Sequence, residues 1–238
     1  MEQNKTSSYL KYAIGEIVLV VIGILIALQI NNWNENRKDR ANESVYLKEL
    51  LKDFEINLQK SNEVTSRIEE VIPSLSGLLE QSAQENPTIS LDSINNAFKF
   101  LNSMPAYSST DRAYNNLIGS GDFKLITNSD IKNAIADYYK ALDILKLVQN
   151  THELQLVNTF QTYIMENLDY QAVSMIRVEN YTLPKPVEEN KILSVLHDRK
   201  FRNIITLKLD ILTDLLDLNQ ILEDINKTLV NLLKENMK

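Results

Sequence analysis

The chain has 238 residues, a net charge of −7 and no cysteine. Because nucleic-acid binding needs a basic surface, this acidic balance argues against a nucleic-acid partner, and it also disfavours adsorption to anionic lipid. The lack of cysteine excludes disulfides and thiolate metal sites, and a total of five glycines favours long helices with few tight turns.

The first predicted element is a transmembrane helix over residues 12–33, preceded by a short N-terminal tail at residues 1–11. Its apolar run, residues 13–30, contains one charged residue, Glu16, and as an α-helix it is about 27 Å long, close to the hydrocarbon thickness of a bilayer. The run is longer than the apolar region of a signal peptide, and the sequence around Ala27 offers no small-x-small cleavage site. A core helix of a soluble protein is rarely apolar all round. An uncleaved anchor is therefore preferred to both alternatives.

Aromatic residues flank the apolar run, with Tyr12 on one side and Trp33 on the other. Amphipathic rings favour the headgroup layer, so both residues are predicted membrane-interface anchors. Basic residues lie close to the run on both sides. The positive-inside rule therefore leaves the orientation of the helix open.

Two segments carry a family resemblance. Residues 11–35, KYAIGEIVLVVIGILIALQINNWNE, resemble the N-terminal signature of a family of uncharacterised bacterial single-span membrane proteins, and residues 117–139, LIGSGDFKLITNSDIKNAIADYY, are similar to a second part of that family. The family is a domain of unknown function, so the resemblance implies a membrane anchor and no activity. Because its members carry more basic N-termini, the resemblance implies an N-terminus in the cytoplasm. The chain would then be a single-pass protein of the inner (cytoplasmic) membrane with an extracytoplasmic, periplasmic C-terminal domain.

Beyond the anchor, residues 34–238 are predicted to form one soluble helical-bundle domain. Long helices are expected at about 34–80, 129–169 and 187–236. No proline or glycine lies between residues 31 and 72, so the anchor helix is predicted to continue into the first of them. Residues 170–190 contain two prolines and are predicted to be irregular. The expected fold is all-α: an N-terminal transmembrane helix continuing into an elongated bundle with coiled-coil-like seams.

Apolar residues at spacings of three and four predict the faces on which the long helices pack. The first helix has its predicted seam at Leu47, Leu51, Phe54, Leu58, Ser61, Thr65, Ile68, Ile72, Leu75 and Leu79. The second has apolar positions at Ile131, Ile135, Tyr138, Leu142, Leu145, Val148, Leu156, Phe160 and Ile164. The last has its seam at Phe201, Ile204, Lys208, Ile211, Leu215, Leu218, Leu222, Ile225, Leu229 and Leu232.

Shorter elements connect the long helices. Ser90 is predicted to cap one short helix, and another is expected over about 108–119. Asn128 or Ser129 is predicted to cap the second long helix. The stretch 123–126 is compatible with either an extended or a helical backbone.

The anchor offers candidate residues for contact with another transmembrane helix. Gly15, Leu19, Gly23 and Ala27 are spaced by four, and Gly23 with Ala27 forms a small-xxx-small pair that lets two helices approach closely. Glu16 lies beside this stripe. Its carboxyl group has three open interpretations: contact with a partner helix, movement of protons or ions, or an acid tolerated near the membrane interface.

Five aromatic residues near the second family-like segment either line a groove for a partner or a small ligand, or form core. They are Tyr107, Tyr114, Phe123, Tyr138 and Tyr139. His152 and His197 have no second ligand at helical spacing, so no metal site is predicted. Without a nucleophile motif, no catalytic or cofactor-binding residue is predicted, and the chain is not expected to be an enzyme.

These features favour a membrane-anchored interaction or scaffold protein that self-associates through the anchor and the helix that follows it. Its expected partners are membrane lipid and a second copy or another membrane protein, with no cofactor and no nucleic acid. The alternative is an extracytoplasmic ligand-sensing domain that signals through a partner protein.

Overall fold

A single long helix forms the N-terminal third of the protein. The computed structural model describes residues 3–167 and 194–237, with the side chains of all of these except residues 3–13, 91 and 95. Helix α1 spans Gln3–Ser82, and its 80 residues make it about 120 Å long. It passes through Pro73 without ending, so the apolar run and the first bundle helix are one element, as predicted. The sequence predicts a separate tail at residues 1–11, but α1 already begins at Gln3, because no proline or glycine interrupts residues 3–11.

The rest of the described chain consists of helices joined by irregular segments, and no strand occurs in residues 3–167 or 194–237. The elements after α1 are α2 (Leu91–Leu101), α3 (Arg112–Gly119), a 3-10 turn (Asp122–Leu125), α4 (Ser129–Gln155), a π-helical segment (Leu156–Gln161), α5 (Thr162–Asn167) and α6 (Arg199–Asn236). The all-α prediction is therefore confirmed. The undecided stretch 123–126 combines both options, since it ends the 3-10 turn and then becomes extended at Ile126.

Capping side chains set several helix starts. Ser90 caps α2 and Asn128 caps α4, each by accepting hydrogen bonds from backbone N–H groups of the first turn. Gly121 has φ 74°, a left-handed conformation that glycine adopts without strain, and it turns the chain between α3 and the 3-10 turn.

The last long helix begins later than the sequence predicts. The prediction places its start near residue 187, but α6 begins at Arg199 after a separate helical turn at residues 194–196. The reason is Asp198, which has an extended backbone and whose side chain accepts from the N–H of Lys200. The predicted irregular segment 170–190 lies outside the described residues.

Each long helix buries a series of residues at alternating spacings of three and four, which is the spacing of packed parallel or antiparallel helices. On α1 the series is Glu43, Leu47, Leu50, Phe54, Asn57, Ser61, Val64, Ile68, Val71, Leu75, Leu78 and Ser82. On α4 it is Ile131, Ile135, Tyr138, Leu142, Leu145, Gln149 and His152. On α6 it is Phe201, Ile205, Lys208, Leu212, Leu215, Asn219, Leu222, Asn226, Leu229 and Leu233.

Every second residue of the predicted seam of α1 is buried as predicted, and at the other positions the buried residue is the preceding one. Leu51, Leu58, Thr65, Ile72 and Leu79 are only partly buried, whereas the residue just before each of them, except Val64, is almost fully buried. At one of these positions the cause is a polar residue. Asn57 is buried in place of Leu58, because its amide is hydrogen-bonded to the backbone of Thr110.

Helix α6 packs along both α1 and α4 and runs antiparallel to them. Near its C-terminus Lys234 pairs with Glu55 at 2.7 Å, while further back the carbonyl of Asn219 accepts from the hydroxyl of Ser61 at 3.4 Å. Glu43 on α1 contacts Thr127 just before α4, and Phe54 further along α1 packs on Tyr138 of α4, so α1 and α4 run in one direction and α6 returns against both. Their side chains meet in a single apolar core.

A connector, residues 103–111, has no regular secondary structure but is held by side chains of two helices. The amide of Asn57 on α1 donates to the carbonyl of Thr110 at 3.0 Å and accepts from its N–H at 2.6 Å. The amide of Gln149 on α4 does the same for Tyr107, at 3.2 and 2.7 Å. These side chains replace the backbone partners that a strand would find in a sheet. The connector can therefore cross the bundle without leaving these backbone groups unpaired.

Candidate functional site

No described element covers the N-terminal part of α1. Every described side chain from residue 14 to residue 32 is exposed, and Leu19 is 71% exposed. Among the described residues, α1 is the one helix long and apolar enough to cross a membrane. A core helix of a soluble protein would be mostly buried, and large apolar surfaces in contact with water are unfavourable. The exposure of this segment therefore favours contact with lipid over a core helix.

The two predicted interface residues differ in what the structure shows. Tyr12 lies in α1, but its side chain is outside the described part of the chain. Trp33 is 64% exposed, and the guanidinium carbon of Arg37 lies 5.5 Å from the centre of its ring. An amphipathic ring beside a cation, one turn beyond the apolar run, suits the headgroup layer.

The five predicted anchor residues are all exposed, but they do not share one face. Successive residues of an α-helix are about 100° apart around its axis. By this count Glu16, Gly23 and Ala27 lie on the side of α1 opposite to its buried series. Leu19 lies at the flank and Gly15 lies nearer the bundle side.

The same side of α1 continues into the soluble part through Asn34, Ala41 and Val45. We call Glu16, Gly23, Ala27, Asn34, Ala41 and Val45 the outer face. Val45 is 55% exposed although its side chain is apolar, and a Cβ built on Gly23 meets nothing within 4 Å. Asn34 is partly buried, and the other five positions of the outer face are exposed, from the apolar run to the base of the bundle.

The bundle contacts α1 at Arg40, which donates to the hydroxyl of Thr127 at 2.7 Å, and at Glu43, which is buried. Its carboxylate accepts hydrogen bonds from the N–H and the hydroxyl of Thr127, the latter at 2.7 Å, and it pairs with Arg40. Nearby, Tyr46 donates to Asp122 at 2.7 Å and thereby holds the pKa of that carboxyl below its usual value. At 1.5 Å per residue, Glu43 lies about 20 Å beyond Ile30, so the bundle begins close to the end of the apolar run.

Two of the five predicted groove residues lie in the core. Tyr107 and Tyr138 are buried with their hydroxyl oxygens 2.8 Å apart, and the ring of Tyr138 packs edge-on against Phe54 at 4.9 Å. Burial raises the pKa of Tyr107 to about 12, and the same cause raises the pKa of Tyr138 further. Both hydroxyls are therefore neutral at physiological pH.

The other three aromatic residues border this core. Tyr114 and Tyr139 are partly buried and stack with their ring centres 3.8 Å apart, and the hydroxyl of Tyr139 donates to Asp111. Phe123 is also partly buried and lies beside the ammonium group of Lys132, at 5.9 Å. The four tyrosines thus form one cluster, and Phe123 belongs to the base of the bundle.

An ionisable residue is buried inside the bundle. Lys208 on α6 is fully buried, and its ammonium nitrogen is 2.6 Å from the carbonyl oxygen of Ser103 and 2.7 Å from Nε2 of His152. It also lies 5.1 Å from the centre of the Phe160 ring. Burial lowers the pKa of Lys208 to about 7. Burial, followed by the nearby Lys208 charge, lowers the pKa of His152 to about 3.

The π-helical segment Leu156–Gln161 begins four residues after His152, where α4 ends. A π segment adds one residue to a helical turn, and such segments are often found at functional sites. Here the extra residue shifts the buried face, so that Phe160 rather than Thr159 follows in the buried series. The insertion therefore supplies the ring that lies beside Lys208.

The two histidines have separate surroundings. His152 is fully buried against Lys208, whereas His197 is exposed in the turn before α6. Within the described residues no group of three or more histidine, cysteine, aspartate and glutamate side chains is placed to hold a metal ion.

Sequence reasoning placed Lys208 in the seam of the last helix but did not pair it with His152. The position of each residue in its helical repeat could have paired them, since both lie at the spacings of three and four that the buried residues of α4 and α6 follow. Sequence reasoning also missed Asn57 and Gln149, whose amide groups hold the connector and which we call the connector clamps. A polar amide in a helix is ordinarily expected to be solvent-exposed.

Comparison with known proteins adds a family. The model of a family of unknown function, DUF6090, matches residues 16–175, which is more than half of the chain. No curated protein and no solved structure matches the chain.

Proposed function

We propose that this chain, which belongs to the family of unknown function DUF6090, is a membrane-anchored interaction protein that self-associates through its first helix. Its partners would be membrane lipid and a second copy of the chain. The proposal assigns it no catalytic role, no cofactor and no nucleic-acid partner.

The observation that carries this proposal is the continuity of α1. One unbroken helix contains both the exposed apolar segment and the buried series that organises the bundle. The end of the bundle nearest the apolar run lies about 20 Å beyond it, so the bundle would stand directly on the membrane. The helix therefore supports a role at the membrane surface.

The outer face supports self-association. Copies anchored in one membrane have the same orientation, so their first helices can lie side by side in parallel. Gly23 and Ala27 permit close approach within lipid, and Ala41 with Val45 extends the contact by small or apolar side chains. Because the bundle covers the opposite side of α1, two copies could meet here without a clash between their bundles.

We further propose a bacterial inner-membrane location with the bundle in the periplasm, on the strength of the family-like anchor sequence. The chain has no cysteine, so a single Lys146→Cys variant on the exposed side of α4 reports the location of the bundle. A membrane-impermeant maleimide should label it in spheroplasts. Labelling that requires permeabilised membranes would place the bundle in the cytoplasm instead.

Disulfide crosslinking in membranes tests self-association. A Val45→Cys variant should form disulfide-linked dimers on mild oxidation, because a disulfide requires Cα atoms within about 7 Å. Asn150→Cys on the exposed side of α4 is the matched control and should stay monomeric. Equal yields for the two variants, or no dimer from Val45→Cys, would contradict the proposal. Release of the intact chain by a carbonate wash would separately refute anchoring.

A second function, ligand sensing, has one specific observation in its favour. An open cleft of about 520 Å³ between α1 and α2 is lined by Glu70, Ser74, Ser93, Asn96, Lys99 and Phe100. Its volume is within the range of small-molecule sites. A thermal-shift screen of polar metabolites against the full-length protein tests this function, because a ligand that binds the folded state raises the unfolding temperature. Lys99→Ala should abolish any such shift if this cleft is the site.

A further inference from the structure

The central observation is a buried lysine that has no carboxylate partner. Lys208 is fully buried, and none of the described carboxylates lies within ion-pair distance of its ammonium group. Its neighbours are the carbonyl of Ser103, the imidazole of His152 and the ring of Phe160. Buried lysines are normally paired, because an unpaired charge in a protein interior is costly.

The other charged groups described on the surrounding elements do not compensate for this charge. Two of them, Glu43 and Asp53 on α1, are buried but have their own partners, Thr127 with Arg40 and Ala113 with Arg112. The others are exposed or partly buried, among them Arg67, Glu69, Glu70 and Glu80 on α1, Lys99 on α2, Lys146 and Glu153 on α4, Glu166 on α5, and Arg202 and Asp210 on α6. The connector, residues 103–111, meets Lys208 with a backbone carbonyl. His152 is thus the titratable group in direct contact with Lys208 among the described residues.

The 2.7 Å contact limits the charge of the pair. While Lys208 is an ammonium group, Nε2 of His152 accepts its hydrogen bond and the imidazole proton is on Nδ1; once Lys208 is an uncharged amine, the donor is set by the tautomer of the imidazole. That Nδ1 atom is buried and has no partner among the described residues. The pair therefore carries at most one charge, and that charge is on Lys208.

The contacts of Lys208 join three parts of the fold. Ser103 begins the connector, His152 lies in α4, and Phe160 lies in the π-helical segment. Moving the ammonium group towards water would break its hydrogen bonds to α4 and to the connector together. An uncharged amine can keep both hydrogen bonds without the cost of a buried charge.

We propose that Lys208 and His152 form a pH-sensitive latch, which holds α6 against α4 and the connector most firmly when the lysine is uncharged. Below neutral pH the charged amine favours local opening of this junction to water. As pH rises above about 7, the junction closes progressively. The pKa of Lys208 is lowered from 10.5 to about 7 in the closed junction, so between these values the opened junction binds more protons and closure becomes more favourable as pH rises.

Hydrogen exchange of the full-length protein in nanodiscs tests the latch. Exchange is compared at pH 6.0 and 8.5, with labelling times scaled for the intrinsic pH dependence of amide exchange. Protection of residues 103–111 should increase on the order of tenfold at the higher pH, because closure is linked to loss of one proton. Residues 135–145 of α4, which lie away from the pair, serve as the internal reference and should change little.

Variants assign the effect to Lys208. Lys208→Met should abolish the pH difference, whereas Lys146→Met, which removes an exposed lysine from α4, should keep it. His152→Gln retains an acceptor for the ammonium group and removes the imidazole, so it should also keep the difference between pH 6.0 and 8.5.

Three results would overturn the proposal. They are equal protection of residues 103–111 at both pH values in the unaltered protein, a pH difference that survives Lys208→Met, and loss of the difference in His152→Gln. The first and the third decide the matter even if Lys208→Met does not fold.

Discussion

The carboxylate of Asp53 on α1 accepts a hydrogen bond from the backbone N–H of Ala113, at 2.7 Å, and so caps α3 from another helix. The residue in the N-cap position of α3, Asp111, makes no side-chain capping bond. Asp53 is buried and also contacts Arg112 at 3.3 Å. A buried carboxylate at a helix N-terminus is stabilised by the hydrogen bond and by the helix dipole.

Asp53→Ala should lower the free energy of unfolding by about 1–3 kcal/mol, since it leaves the N–H of Ala113 unsatisfied. Arg112→Ala removes only the mostly exposed partner and should cost less than about 1 kcal/mol. Chemical denaturation followed by circular dichroism measures both. Equal costs would show that the ion pair, rather than the cap, is what stabilises this junction.

The connector clamps should be similarly important. Asn57→Ala removes both hydrogen bonds to Thr110, so we expect a loss of about 1–3 kcal/mol in the free energy of unfolding and faster proteolysis within residues 103–111. Gln59→Ala removes a hydrogen bond between exposed side chains on the same helix and should change stability by less than about 0.5 kcal/mol. Unchanged proteolysis of the connector in Asn57→Ala would contradict its role as a clamp.

Acid should destabilise the bundle through His152. Its pKa is lowered from 6.5 to about 3 in the folded protein, so between these values the unfolded chain binds more protons than the native state. Stability therefore falls as pH decreases from about 6.5 to about 3. In His152→Gln the unfolding temperature should depend less on pH over this interval. A slope identical to that of the unaltered protein would assign the acid sensitivity to other groups.

The two glycines of the anchor give a matched pair for self-association. Gly23→Leu adds a bulky side chain to the outer face and should reduce self-association several-fold in a membrane two-hybrid assay, because it separates the helices. Gly15→Leu makes the same chemical change away from that face and should have little effect. An added Cβ meets nothing within 4 Å at either position, so neither change should disturb the fold. Equal effects would place the contact on a different face.

Much of the fold is readable from the sequence because its signals are local. The apolar run of α1, the caps Ser90 and Asn128 and the end of α3 at Gly119 depend on neighbouring residues, and all appear as predicted. The start of α6 does not appear as predicted, because Asp198 interrupts the helix while the helical spacing of apolar residues continues on both sides of it. In the pattern of apolar spacing Asp198 is only one more polar residue, so the pattern does not reveal that the helix begins there.

The candidate sites were less predictable because they depend on contacts distant in sequence. Asn57 is buried only because the backbone of Thr110 satisfies its amide. Tyr107 could be a groove or a core residue until α4 placed Tyr138 against it. In each case the residue type is known from the sequence, but its partner is known only when the folded chain brings the two residues together.

Helix α1 also has a mechanical consequence. The helix has the apolar segment at one end and the bundle at the other, with no break at which the two could turn independently. If the apolar segment lies in lipid, as we propose, a twist or tilt imposed on it would move Glu43 and Thr127 at the foot of the bundle with it. A disturbance of the bilayer would then be coupled to the bundle through one continuous helix.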